Sequence, residues 1–308
     1  MAQLTTNQLI SQLETGGSFR EAELSQIDLQ DANLYRGDFS GAYLRGANLA
    51  RAFCQQADFT EAILINALMS GISLHDAILT DAKLTRSHLE HSFLGEIYAP
   101  RANFYAVKLN KADLSFARLE QANFGEANGS DAIFRGANLN KANLTGSNFT
   151  KANFNESQLQ EAIGDKANLT HASLKLANLE FVRLRQANLA GANLSEADLI
   201  DADLTAADLT CAILQGAEFE QATLIDANLT RAHCTHTSFF SANLEGAVFS
   251  HANLVGVDLR QANLENTQLD GVDFACSQVK GAIFTDAQGL TPVQKQLLKN
   301  NGALNVPN

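Results

Sequence analysis

Apolar and polar positions repeat along this chain with a period of five. From Ala187 to Leu209 it reads ANLAGANLSEADLIDADLTAADL, and Ala192, Ala197, Ala202 and Ala207 each stand two places before Leu194, Leu199, Leu204 and Leu209. Asn or Asp lies between the members of each pair. Five fits neither the 3.6-residue period of an α-helix nor the two-residue period of a strand, so the chain must turn after every few residues. Counted from Leu199, the same frame runs from Phe19 to Phe284 without a net insertion. Ala99, Gly129 and Gly164 break it, whereas Cys54, Met69, Cys234 and Val279 are substitutes that still pack.

A unit of five residues cannot bury its own Leu, so units must stack and shield one another. One small and one large inward residue per unit suit a narrow, filled interior with no lumen. Asn or Asp between them suits turns and side-chain bonds to the backbone. The interior is therefore structural, and any function lies on the outside.

The frame meets the pattern A(D/N)LXX nearly throughout, and in this the chain resembles the pentapeptide-repeat family. The resemblance implies an all-β fold: a right-handed quadrilateral parallel β-helix, four pentapeptides to a coil, with Leu or Phe and the Ala two before it pointing inward. Residues 17–289 would form about 13 coils at one strand spacing each, between helical caps at 1–16 and 290–308. At the first end, Thr5 and Gln8 form a capping box, Leu4 and Leu9 are placed for a hydrophobic staple, and Gly16 with Gly17 ends the helix. Leu9, Ile10 and Leu13 give that helix one apolar face. At the second end, Thr291, Pro292 and Gln294 announce a helix whose Val293, Leu297 and Leu298 face the last coil, and the final NVPN is expected to be loose. Caps at both ends leave no sheet edge open, which predicts a monomer.

Composition narrows the possible partners. With 34 acidic against 22 basic residues the formal net charge is -12, which argues against direct nucleic-acid binding, since that rests on Lys and Arg neutralising phosphates. No apolar run is long enough to cross a membrane, and the start lacks a basic region followed by an apolar one. Among the four cysteines, Cys54 and Cys234 fall on inward positions and Cys211 and Cys276 on outward ones, with no pair close enough for a disulfide. Free thiols point to a reducing compartment, and hence to a cytoplasmic protein.

The outward positions are least regular between Tyr35 and Phe116. Tyr43, Phe53, Ile63, Ile65, Phe93, Tyr98, Tyr105 and Phe116 all fall where the frame points to solvent, as do Tyr35 and Leu68. Folding the frame by four places Tyr35, Phe53, Phe93 and Phe116 on one face and Tyr43, Ile63, Ile65 and Tyr105 on another. Exposed apolar groups of this kind mark contact surfaces, or stack as exterior ladders that bind nothing. Pro100 follows Ala99 in GEIYAPRANF and lacks a backbone donor, so a kink or small outward loop is expected there as a further binding element. Gly129 and Gly164 leave space in the core and are expected to be weak points or bulges.

A second outward feature is acidic. From Gln186 to Thr230 there is no Lys or Arg, while Glu196, Asp198, Asp201, Asp203, Asp208, Glu218, Glu220 and Asp226 supply eight acids. Lys166, Lys175, Arg183 and Arg185 form a basic band just before. His88 with His91, and His233 with His236, come nearest to metal-ligand spacing, but an inward residue separates each pair and no carboxylate completes a set. There is no phosphate-cradling loop and no nucleophile elbow, so neither enzyme activity nor a cofactor or metal is expected.

Two functions follow. One is a non-enzymatic scaffold that binds a protein partner through Tyr43, Phe53, Ile63, Ile65, Phe93, Tyr98, Pro100, Tyr105 and Phe116. The other is implied by the family resemblance, since some relatives mimic DNA before DNA gyrase. Duplex DNA would carry about 38 charges over the roughly 65 Å of such a rod, whereas this chain offsets 34 acids with 22 bases. The acidic belt alone approaches that density, so the scaffold ranks first.

Overall fold

A computed structural model describes residues 5–308. The chain divides into two compact units, Met1–Ser157 and Gln158–Asn308. Both are built from the same step: parallel single-residue bridges join positions twenty apart, and a bridge recurs every fifth residue, as in Glu23↔Tyr43, Asp28↔Asn48, Asn33↔Phe53 and Asp38↔Asp58. Four pentapeptides therefore advance the chain by one coil of a β-helix.

Each pentapeptide accounts for its own backbone donors. In the unit Ala197–Asp201, Ala197 N–H bonds to Leu194 O at 3.1 Å and closes the turn. Asp198 N–H reaches back to Ala177 O at 3.0 Å, while Leu199 and Asp201 N–H reach forward to Glu218 O and Glu220 O at 2.7 and 3.0 Å. The fifth donor, Ile200 N–H, bonds to the Asp198 carboxylate at 3.0 Å. Asn193 does the same for Ser195 at 3.0 Å, and Asn103 for Tyr105 at 3.0 Å. The Asn or Asp preference is thus a backbone requirement, because a buried unpaired N–H is costly.

The last residue of each unit turns the corner in the left-handed region. Lys111, Asp201 and Arg231 hold φ of 60°, 56° and 58°. Such a conformation costs a non-glycine residue on the order of 1 kcal/mol, offset here by the ladder bond that the same residue donates.

The core is a filled column of inward Ala and Leu or Phe. In the first unit Phe19, Phe39 and Phe59 stack with centroids 5.5 and 5.2 Å apart, and Phe124, Phe134, Phe149 and Phe154 form an edge-to-face and stacked cluster. In the second, buried Leu predominates, with Phe219 stacked on Phe239 at 5.1 Å. Cys54 and Cys234 are buried, which pushes both thiols well above the usual range, while Cys211 and Cys276 are exposed, and all four are free.

Three sequence expectations need correction. Pro100 makes no kink: the pattern runs on through 95–104, Tyr98 bridges both Ile78 and Arg118, and Pro100 is itself buried. Proline occupies the one position whose N–H would bond only a side chain two residues back, and Tyr98 offers no carboxylate or amide there, so no ladder bond is lost. Nor do Gly129 and Gly164 form bulges. Their N–H groups bond Asn148 O and Arg183 O at 2.8 and 2.7 Å, and the next coil fills the space. A Cβ on Gly129 would lie 2.6 Å from Phe149 Cδ1, and one on Gly164 would lie 2.8 Å from Leu184 Cδ2.

Helix α1, Thr6–Glu14, carries the Thr5/Gln8 capping box and buries Leu9, and Thr6 Oγ1 donates to Asp28 O at 2.6 Å. Leu4 of the expected staple lies outside the described residues. Helix α2, Pro292–Asn300, carries the Thr291/Gln294 capping box, but of its three apolar residues only Leu298 is buried. Val293 is 79% and Leu297 44% exposed, so the expected three-residue contact with the last coil reduces to one. The tail is not loose either. Leu304 bridges Ile283, Leu304 N–H bonds Ala282 O at 2.8 Å, and Val306 is buried.

Candidate functional site

The exterior of the first unit carries the aromatic candidates. Tyr43, Phe53, Phe93, Tyr98, Tyr105 and Phe116 are each between 40% and 60% exposed, while Ile63 and Ile65 are half-buried. Bridging fixes their neighbours. Tyr43 pairs with Ile63, and Phe53 and Phe93 both pair with Ser73, which stands between them. Phe53 shares a shallow depression with Tyr35, Asn33 and Gln55. Tyr98 and Phe116 share another with Ile78, Arg118, Asp76 and Glu96. The nine candidates therefore form several small clusters rather than one patch, and buried Pro100 joins none of them.

Ile78 and Arg118 belong beside Tyr98 yet were not singled out in the sequence. The signal that finds them is position, since both stand twenty residues from Tyr98. The Arg118 guanidinium lies over the Tyr98 ring, 5.9 Å from its centroid. Phe116 lies over Gly136, where a Cβ would come within 2.6 Å of the ring. Only a residue without a side chain leaves room for it.

The acidic belt of the second unit is less uniform than its sequence. Arg185 lies twenty residues or fewer from its target and donates to Asp203 at 2.6 Å, and Lys175 approaches Glu196 at 3.5 Å. Thr205 and Arg185 hold the Asp203 carboxyl below its usual range even though burial pushes it up. Asp208 accepts from Thr210 N–H at 3.0 Å. Asp226 lies over Gly246. Asp198, Asp201, Glu218 and Glu220 remain together, with Asp198 bridged to Glu218. Burial, and then the charges of Glu180 and Glu220, push the Asp198 carboxyl above its usual range. Glu180 lies just outside the Lys- and Arg-free stretch and joins the cluster through the twenty-residue step. Two of the eight acids thus have basic partners, contributed by the band before the belt.

Among the described residues no group of three His, Cys, Asp or Glu is arranged to hold a metal, and no helix is long and apolar enough to cross a membrane. His88 approaches Glu90 at 3.6 Å.

The family model for pentapeptide repeats, eight copies long, matches in overlapping stretches from residues 15–42, 38–76 and 77–115 through 112–150, 142–180 and 152–189 to 187–224, 217–254 and 247–286. The chain is a pentapeptide-repeat protein. Among solved pentapeptide-repeat structures, HetL of the cyanobacterium Nostoc sp. strain PCC 7120, a protein involved in heterocyst differentiation regulation, is 34% identical. That match covers 70% of this chain and 90% of HetL, with a TM-score of 0.32. A pentapeptide-repeat protein of the Arabidopsis thaliana thylakoid lumen is also 34% identical over 37% of this chain and 80% of that one, with a TM-score of 0.36. A trypsin-treated form of QnrB1, a plasmid-mediated fluoroquinolone resistance protein, is 16% identical over 63% of this chain and 95% of that one, with a TM-score of 0.40. No curated protein matches. Pentapeptide-repeat proteins are generally structural or interaction proteins, and no catalytic family matches this one.

Proposed function

We propose that this pentapeptide-repeat protein is a non-enzymatic scaffold that holds a protein partner on the aromatic exterior of residues 43–116. The observation that carries this reading is the set of six aromatic rings left 40% to 60% exposed in that stretch. Rings at the surface risk aggregation, and they are the side chains that interfaces concentrate at their centres. The regular ladder beneath them supplies rigidity, so little ordering entropy is lost on binding. In the same reading the β-helix is right-handed and four-sided, with about 13 coils, and the chain is a cytoplasmic monomer closed by α1 and α2. Four bridges per twenty residues support the four-sided form.

The second reading is an acidic DNA mimic directed at a DNA-handling enzyme such as DNA gyrase. It is favoured by one observation: Asp198 is bridged to Glu218, and burial, then the charges of Glu180 and Glu220, push its carboxyl up. A partner captured from the native cell separates the two. Replacing Phe53, Phe93 and Tyr105 together by Ser should weaken binding by more than about tenfold and leave the fold intact. If that variant binds normally while Asp198→Asn with Glu218→Gln and Glu220→Gln loses the partner, the acidic reading replaces the scaffold.

A further inference from the structure

Two exposed carboxylates at the corners of this β-helix have an arginine from the neighbouring coil. Asp31 pairs with Arg51 at 2.7 Å and Asp81 with Arg101 at 2.6 Å, each twenty residues on. Asp76 and Glu96 have no such partner. They occupy successive corners, at φ of 59° and 57°, so one carboxylate stacks on another about 4.8 Å along the ladder. Among the described residues no Lys or Arg pairs with either, and only the His75 ring approaches Asp76, at 3.7 Å. The next corner is Phe116, whose ring lies over Gly136, and Tyr98 and Ile78 line the same groove.

Two carboxylates with no Lys or Arg partner, beside two exposed rings, make a site for a flat cation. We propose that the groove between Tyr98 and Phe116 receives an arginine side chain of the partner protein, an inference that rests on the scaffold reading above. A guanidinium can lie against an aromatic face while its N–H fork engages carboxylates, which an ammonium does less well. The groove already shows this chemistry from within, because Arg118 places its guanidinium over Tyr98. Arg118 is also a like charge at the groove's edge, and so opposes the incoming side chain.

The test titrates the full chain with the capped tripeptide Gly-Arg-Gly and follows backbone amides by NMR. Saturable shifts are expected around Asp76, Glu96, Tyr98 and Phe116, with weaker binding of Gly-Lys-Gly and none of the uncharged citrulline analogue. Asp76→Asn and Glu96→Gln should each weaken binding about three- to fivefold. Arg118→Gln should strengthen it, a gain that a merely structural Arg118 would not give. Shifts spread evenly over the acidic surface, or the same affinity in the Asp76→Asn and Glu96→Gln chains, would overturn the proposal. With the captured partner, an Asp76→Asn, Glu96→Gln chain that binds normally sinks the arginine site alone. A Phe53, Phe93, Tyr105 to Ser chain that also binds normally sinks the scaffold as well.

Discussion

Adding a single methyl group at Gly129 should destabilise this protein. An Ala there would set its Cβ 2.6 Å from Phe149 Cδ1 and closer still to Cε1, where non-bonded carbons rest about 3.5–4.0 Å apart. The ring would have to withdraw by about 1 Å, and it has nowhere to go: Phe134 and Phe154 lie edge-on with centroids at 5.3 and 5.5 Å, and Phe124 at 6.3 Å. Overpacking of this kind costs about 1–3 kcal/mol. Gly to Ala also stiffens the unfolded chain, which returns about 0.4–1 kcal/mol, so the expected net loss is about 1–2 kcal/mol. Urea unfolding of the first unit, followed by circular dichroism, measures it. Phe149→Leu costs core volume in the parent chain but makes room for the new methyl, so the double variant should lose less than the sum of the singles by at least about 0.5 kcal/mol. Equal midpoints for Gly129→Ala and the parent, or strict additivity with Phe149→Leu, would refute the account of how the gap is filled.

Two other substitutions test the backbone accounting and the acidic cluster. Pro100→Ala should change stability by less than about 1 kcal/mol in the destabilising direction, since no ladder bond needs an N–H there, the carbonyl keeps its bond from Asp81 N–H, and only the stiffness of the unfolded chain is lost; a larger loss in thermal melting would mean that the ring is a packing element. Asp198→Asn keeps the acceptor for Ile200 N–H while removing a charge that burial, Glu180 and Glu220 disfavour. Because the folded pKa is raised, the charged form is the less stable one, so the variant should gain stability at neutral pH. That gain should fade as pH falls through the raised range where the folded carboxyl takes up its proton, and a gain independent of pH would count against the charge argument.

Much of this architecture was legible in the sequence because five divides twenty. A single apolar frame from Phe19 to Phe284 sets which residues face inward; counting by twenty places Arg118 beside Tyr98, and Arg185 reaches Asp203 from two residues short of that step. What the frame does not reveal is which N–H groups the ladder uses. Pro100 was for that reason misjudged, since its danger depends on a donor that the ladder never needed. Gly129 was misjudged for a related reason: a gap in one unit is filled from Phe149, and the frame treats each unit alone. At α2 the spacing of Val293, Leu297 and Leu298 was sound, but a helix that buries one apolar residue, Leu298, and otherwise holds on through Gln294 to Val272 O leaves its other apolar groups outside. Among the site candidates the exposed rings were found by position, whereas their division into separate clusters depends on what lies twenty residues to either side.

The fifth backbone donor, closed within its own pentapeptide, bears on how such a chain can change in length. Because each unit supplies its own turn and its own acceptor, losing one unit leaves every later Leu and Phe still inward. The exterior has a different arithmetic. A loss of five residues between Glu96 and Phe116 would carry every later side chain round to the next column, and would part Phe116 and Arg118 from Asp76 and Tyr98, whereas a loss of twenty would restore each column one coil shorter. The interior is thus indifferent to the number of pentapeptides and the surface is not, so descendants of one ancestral repeat could keep a common core while dealing out new surfaces five residues at a time.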